Sequence, residues 1–191
     1  MEDALAAVDY GADALGFVFF PGSPRYVSPE TAREITSFLQ PFVTTVGVFV
    51  NEDEQRIKDI MTFSGIDVLQ LHGDETPEMC GVWHRVVRAL RVKDLIDLKP
   101  LASCRVSAFL LDTYSSEQFG GTGQIFNWDI AIEAKRFGNI ILSGGLNPDN
   151  VEKAIKWVKP YGVDVSSGVE AEKGKKDLKK MRLFIERAKG A

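Results

Sequence analysis

The chain has 191 residues, 45% hydrophobic and 26% charged, with a formal net charge of −4; it is long enough for one sizeable core and too acidic for a general nucleic-acid surface. Cys80 and Cys104 make neither a disulfide framework nor a metal-ligand spacing. The N-terminus lacks a basic region followed by an apolar block, and no apolar run is long enough to span a bilayer, so the expectation is a cytoplasmic protein with no nucleic-acid or membrane partner.

In chain order, residues 2–10 place Ala4, Leu5 and Val8 on one helical face and stop at Gly11. Residues 14–20 read as a strand. Ser28 is set to cap a helix with Pro29 at its first position and Ile35, Phe38 and Leu39 on its apolar face. A strand follows at 44–50, with Asn51 expected to cap a helix over 52–63. Residues 67–71 are strand, and Pro77 opens a short helix to Trp83. Residues 86–90 are strand, 93–99 a weak helix and 108–111 strand. Asn127 is expected to cap 128–136, followed by a strand at 139–142. Asn147-Pro148 opens 149–158, 162–165 is the last strand, and 175–189 closes the chain. Seven strands alternate with eight helices at a period of roughly 20–25 residues, which predicts a parallel sheet. No linker or low-complexity segment interrupts the pattern, so residues 1–191 read as one domain.

Two strand ends carry the clearest chemistry. One is Ser143-Gly144-Gly145-Leu146-Asn147-Pro148; the other is Asp164-Val165-Ser166-Ser167-Gly168-Val169-Glu170. Strands that end in Gly-Gly or Ser-Ser-Gly present backbone N–H groups that suit a phosphate. Two consecutive strands ending this way resemble the phosphate site after strands seven and eight of a (β/α)8 TIM barrel. Gly144, Gly145, Ser166, Ser167 and Gly168 are the expected donors; the plainer reading is that the glycines only turn the chain. Such a barrel needs eight strands and about 200 residues. This chain shows seven strands and opens on a helix, so it is short of strand 1 and its loop, about ten residues.

Further motifs identify a family. They are Gly16-Phe17-Val18-Phe19 with Ser23-Pro24-Arg25-Tyr26-Val27-Ser28, Val46-Gly47-Val48-Phe49-Val50-Asn51, and Leu69-Gln70-Leu71-His72-Gly73-Asp74-Glu75. To these are added Leu111-Asp112-Thr113, Phe119-Gly120-Gly121-Thr122-Gly123, Phe126 with Trp128, the two strand ends above, and Gly174-Lys175-Lys176-Asp177. Together, in this order, they resemble phosphoribosylanthranilate isomerase over essentially the whole chain. The resemblance implies an Amadori rearrangement in tryptophan biosynthesis. It converts N-(5′-phosphoribosyl)anthranilate, a small phosphorylated substrate, into 1-(2-carboxyphenylamino)-1-deoxyribulose 5-phosphate, with no metal or redox cofactor. The chemistry needs an acid to open the furanose ring and a base to take the C2′ proton.

Asp112, at a strand end, fits the general acid, and would need burial or a neighbouring anion to hold a proton near neutral pH; the plainer reading is a loop cap. Arg25, in a Pro- and Gly-rich loop, fits recognition of the anthranilate carboxylate through its guanidinium fork, or of the developing charge; the plainer reading is a surface arginine. Asp164 could bond a ribose hydroxyl or be an inward polar residue of the barrel. His72 is placed by the resemblance near the site, in a hydrogen-bonding or structural role. Gly121, Thr122 and Gly123 are expected to form a mobile loop. Lys175 and Lys176 read as part of a solvated helix face close enough to the phosphate loop to add some field.

The resemblance assigns the base to a cysteine in a Lys-Ile-Cys-Gly-Ile-Thr-like first strand. The general base is not present in this chain, and neither Cys80 nor Cys104 takes its place. Three readings follow: an isomerase whose complete form carries that strand, a truncated barrel that binds phosphorylated ligand without turnover, and a different phosphate-handling barrel such as indole-glycerol-phosphate synthase or a histidine-pathway isomerase. The last is disfavoured by the Ser-Pro-Arg and Leu-Asp-Thr contexts. An open seam between the first and last strands would expose an unpaired edge. The chain, monomer or homodimer, is therefore expected either to associate through the seam or to rearrange its N-terminal segment across it.

Overall fold

The computed structural model describes residues 1–113 and 128–191. Seven strands form one parallel sheet in sequence order: β1 (Ala14–Val18), β2 (Thr44–Phe49), β3 (Val68–Leu71), β4 (Val86–Val92), β5 (Ala108–Thr113), β6 (Ile140–Leu142) and β7 (Gly162–Val163). Helices alternate with them: α1 (Glu2–Asp9), α2 (Pro29–Thr36), α3 (Glu54–Ser64), α4 (Pro77–Gly81), a 3-10 helix over Leu95–Ser103, α5 (Trp128–Ala134), α6 (Val151–Val158) and α7 (Leu178–Lys189). After β7 a small antiparallel hairpin, β8 (Glu170–Glu172) and β9 (Lys175–Lys176), precedes α7.

The strands are apolar on both faces because both faces are covered, as in parallel sheets generally. Val46, Val68, Val87, Ala89, Ala108, Leu110 and Ile141 cluster on the inner face. On the outer face Phe17, Phe49, Leu69 and Leu71 join Ala32, Ile35, Ile57 and Ile60 of α2 and α3. Phe109, Leu111, Ile140 and Leu142 pack with Ile130, Val151, Ala154 and Phe184 of α5, α6 and α7. Phe49, Leu69, Leu71, Leu111 and Leu142 are fully buried, each worth about 1.5–3 kcal/mol of apolar burial.

The sheet is curled but not closed. Among the described residues β1 and β7 are its two edges. Side chains bridge them at both ends: Arg25, after β1, bonds Glu170, beyond β7, and Asp13, at the foot of β1, meets Lys189 of α7 at 2.8 Å. The N-terminal residues do not fold across the seam as a strand. They form α1, which packs on α7, and Asp3 accepts a hydrogen bond from the Lys176 N–H at 3.0 Å.

Local departures from the sequence pattern have local causes. Asn51 does not cap α3: it sits at φ 50°, its side-chain oxygen accepts from Asp74 N–H, and Asp53 caps instead by accepting from Arg56 N–H at 3.1 Å. The weak helix at 93–99 is a later 3-10 segment, started by an Asp94–Asp97 capping box and containing Pro100. Helix α6 begins at Val151 because Asn147 and Asn150 close a turn before it, with Asn147 N–H bonded to Asn150. Helix α7 starts at Leu178, capped by Asp177, so Lys175 and Lys176 lie in β9 and not on a helix face.

Candidate active site

Residues in register on parallel strands project to the same face. Arg91 of β4 is level with Asp112 of β5. Leu111 is level with Leu142 and Leu142 with Val163, so one position on, Asp112, Ser143 and Asp164 continue the row. Arg91, Asp112, Ser143 and Asp164 therefore line the inner rim at the C-terminal strand ends. Ser143 Oγ lies 2.9 Å from Asp164 Oδ2. His72, just past β3, brings Nε2 to 3.7 Å from Asp112 Oδ2. The Gln70 amide nitrogen lies 3.2 Å from His72 Nδ1, which leaves Nε2 as the ring nitrogen facing Asp112.

Asp164 sits among protein groups with one face open to water. That crowding pushes its carboxyl above the usual aspartate range, with the nearby Asp112 charge adding to the rise and the Ser143 hydrogen bond opposing it. Water on its open face screens the effect.

Beside this row lie the two loops. Gly144 and Gly145 both adopt left-handed backbone, φ 72° and 69°, which only glycine takes without strain. Residues Ser167–Val169 form a 3-10 turn, and Gly168 presses so closely on the preceding loop that a Cβ there would lie 1.8 Å from Leu146 O. The glycines do turn the chain, as the plainer reading held, and the same turns leave donors open. Among the described residues the backbone N–H groups of Gly144, Gly145, Ser167 and Gly168 have no acceptor. Ser166 is tied in through its carbonyl, which accepts from Lys176 Nζ at 2.9 Å. Gly121, Thr122 and Gly123 lie outside the described residues.

Arg25 is not a free surface arginine. Its Nε and Nη2 donate to the two oxygens of Glu170 at 2.6 and 2.7 Å. The hydrogen bond to Arg25 holds Glu170 below the usual glutamate range, against its partial burial and with help from Lys176, whose Nζ lies 3.5 Å away. Lys175 stays exposed, within 3.9 Å of Glu172. Both cysteines lie away from this rim. Cys80 is buried in α4 against the outer core, and burial pushes its thiol up to about 11.

Glu170, Gln70 and Arg91 are the rim residues that pattern reading passed over as site members, and Lys176 entered only as a nearby charge. Arg91 follows from alternation along β4, since Val87 and Ala89 face inward. Nothing local marks Glu170, whose partner is 145 residues away in sequence.

A curled parallel sheet whose strand ends carry a carboxylate, an anchored arginine and two loops with open N–H groups is an α/β half-barrel of the (β/α)8 TIM-barrel class. The profile of the "N-(5'phosphoribosyl)anthranilate (PRA) isomerase" family matches residues 1–187. The N-(5′-phosphoribosyl)anthranilate isomerase of Geobacter sulfurreducens is 56% identical over 191 residues, 100% of this chain and 94% of that protein. The solved phosphoribosyl anthranilate isomerase of Thermotoga maritima is 45% identical with a TM-score of 0.91, over 100% of this chain and 94% of that one. A phosphoribosyl anthranilate isomerase solved with reduced 1-(o-carboxyphenylamino)-1-deoxyribulose 5-phosphate is 43% identical, TM-score 0.88, with the same coverage. The chain belongs to the phosphoribosylanthranilate isomerase family.

Proposed function

We propose that this chain provides the isomerase site for the Amadori rearrangement of N-(5′-phosphoribosyl)anthranilate in tryptophan biosynthesis, acting in the cytoplasm. The observation that carries the reading is the shared rim: Asp112 stands one strand from Ser143-Gly144-Gly145, and His72 Nε2 lies 3.7 Å from its carboxylate. Substrate phosphate accepts from the open N–H groups of Gly144, Gly145, Ser167 and Gly168, with Ser166 shaping that loop. Asp112 protonates the furanose oxygen as the C1′–O bond breaks and the aniline nitrogen lone pair forms the iminium. His72 orients Asp112, Asp164 accepts from a sugar hydroxyl, and Arg25 pairs with the anthranilate carboxylate. The sugar carbon then gives up its C2′ proton to a base, and the electron pair collapses toward the iminium to form the enamine, which tautomerises to the ketone.

Among the described residues no thiol reaches this rim. The family resemblance puts the base, a cysteine, on a strand beside β1, and the seam between β1 and β7 is the place open to it. Identity of 56% over 94% of a named isomerase weighs against a binding-only role. The test is turnover of N-(5′-phosphoribosyl)anthranilate by the chain alone and by the chain extended at its N-terminus with a Lys-Ile-Cys-Gly-Ile-Thr-like strand. Turnover in the extended form that is lost on Cys→Ala in the added strand supports the proposal. No turnover in a folded extended form sinks it.

A further inference from the structure

Glu170 is the most connected carboxylate near the rim, and none of the steps above uses it. Its side chain is 6% exposed and holds Arg25 side-on through Nε and Nη2. Lys176 Nζ lies 3.5 Å from the same oxygen that takes Arg25 Nε and also donates to Ser166 O in the phosphate loop. Lys180 Nζ donates to the Glu170 backbone carbonyl at 3.3 Å. The turn at Gly174, between β8 and β9, lies against Pro24 in the arginine loop. One carboxylate thus ties the loop after β1 to the loop after β7, across the seam where no strand pairing does so.

A bidentate fork of this kind fixes the guanidinium plane as well as its position. With Nε and Nη2 committed, Nη1 has no partner among the described residues, and Arg25 is 30% exposed. We propose that Glu170 is a positioning residue, which orients Arg25 so that its unspent edge meets the substrate carboxylate and which keeps that edge in register with the phosphate loop through Lys176. The inference rests on the reading of Arg25 given above.

The test is titration of the full chain with two probes: the reduced product analogue, 1-(o-carboxyphenylamino)-1-deoxyribulose 5-phosphate, and its phenylamino counterpart without the carboxyl group. Glu170→Gln keeps the shape and one accepting oxygen but removes the charge. It is expected to weaken the carboxyl-bearing probe about tenfold, as for a lost bond between charged groups. The carboxyl-free probe, which also reports that the variant is folded, should change by less than about twofold. Glu170→Asp should recover part of the loss. Arg25→Ala should show the same discrimination, and adding Glu170→Gln to it should cost nothing more, since residues acting through one contact are not additive. Equal weakening of both probes by Glu170→Gln, or full additivity with Arg25→Ala, overturns the inference and leaves the Arg25 reading standing. An Arg25→Ala variant that treats the two probes alike overturns both.

Discussion

Two arginine–glutamate pairs among the described residues have a buried carboxylate, and they differ in what surrounds the arginine. Arg88 and Glu75 close on themselves. Glu75 accepts from Asn51 N–H at 2.8 Å, Gly73 N–H at 2.9 Å and Arg88, while Arg88 also donates to the carbonyls of Gly73 and Leu71. Their side chains are 12% and 1% exposed. Arg25 and Glu170 are joined as tightly, yet the arginine keeps an unused edge and nearly a third of its surface. The first pair, nearly buried, shapes the loop that carries His72; the second leaves an edge of its arginine exposed at the rim. A buried ion pair is therefore not evidence of a site by itself, and an exposed arginine edge at the rim is what separates the two.

The strongest break in the comparison is at the acid, which neither pair replaces. In the extended form, Asp112→Asn should lower kcat about a thousandfold, within the range for loss of a general acid, while the product analogue binds with little change. Next comes the closed pair. Arg88→Met strands Glu75 in the protein and should cost about 3–5 kcal/mol of stability in urea unfolding, with no selective loss of the carboxyl-bearing probe. Arg25→Ala should reverse that pattern, weakening the carboxyl-bearing probe about 10- to 100-fold.

A smaller effect separates the carboxylates by pH. Glu170 is held low by Arg25, so the unfolded chain binds more protons there. Its contribution is fully present above the ordinary glutamate value of about 4.3 and is lost as pH falls through the lower folded value. Asp164 is pushed up, so its contribution is present below the ordinary aspartate value of about 3.9 and is lost as pH rises through the raised folded value. Stability–pH curves of Glu170→Gln and Asp164→Asn should therefore depart from the parent with opposite slopes. The smallest effect is expected at Lys175, whose pairing with Glu172 leaves both side chains 72% exposed; Lys175→Ala should change stability by less than about 0.5 kcal/mol.

Much of this arrangement is legible in the chain because it is local. Alternating apolar runs, Ser28-Pro29 and the Gly-Gly and Ser-Ser-Gly strand ends each act through neighbours in sequence. They placed the seven strands, the cap of α2 and the donor loops. What was not legible is set by contacts across the seam. Glu170 matters only once Arg25, 145 residues away, reaches it, whereas Arg91 follows from alternation along β4 alone. Likewise Asn51 and Asp53 are equally good caps by residue type, and the choice is made by Asp74, which engages Asn51.

The most direct measurement of the central claim is a crystal structure of this chain with reduced 1-(o-carboxyphenylamino)-1-deoxyribulose 5-phosphate. The account predicts the phosphate on the N–H groups of Gly144, Gly145, Ser167 and Gly168, the sugar chain beside Asp112 and Asp164, and the carboxylate on Arg25 with Glu170 still holding Nε and Nη2. A phosphate bound elsewhere, or a carboxylate that leaves Arg25 untouched, would contradict it.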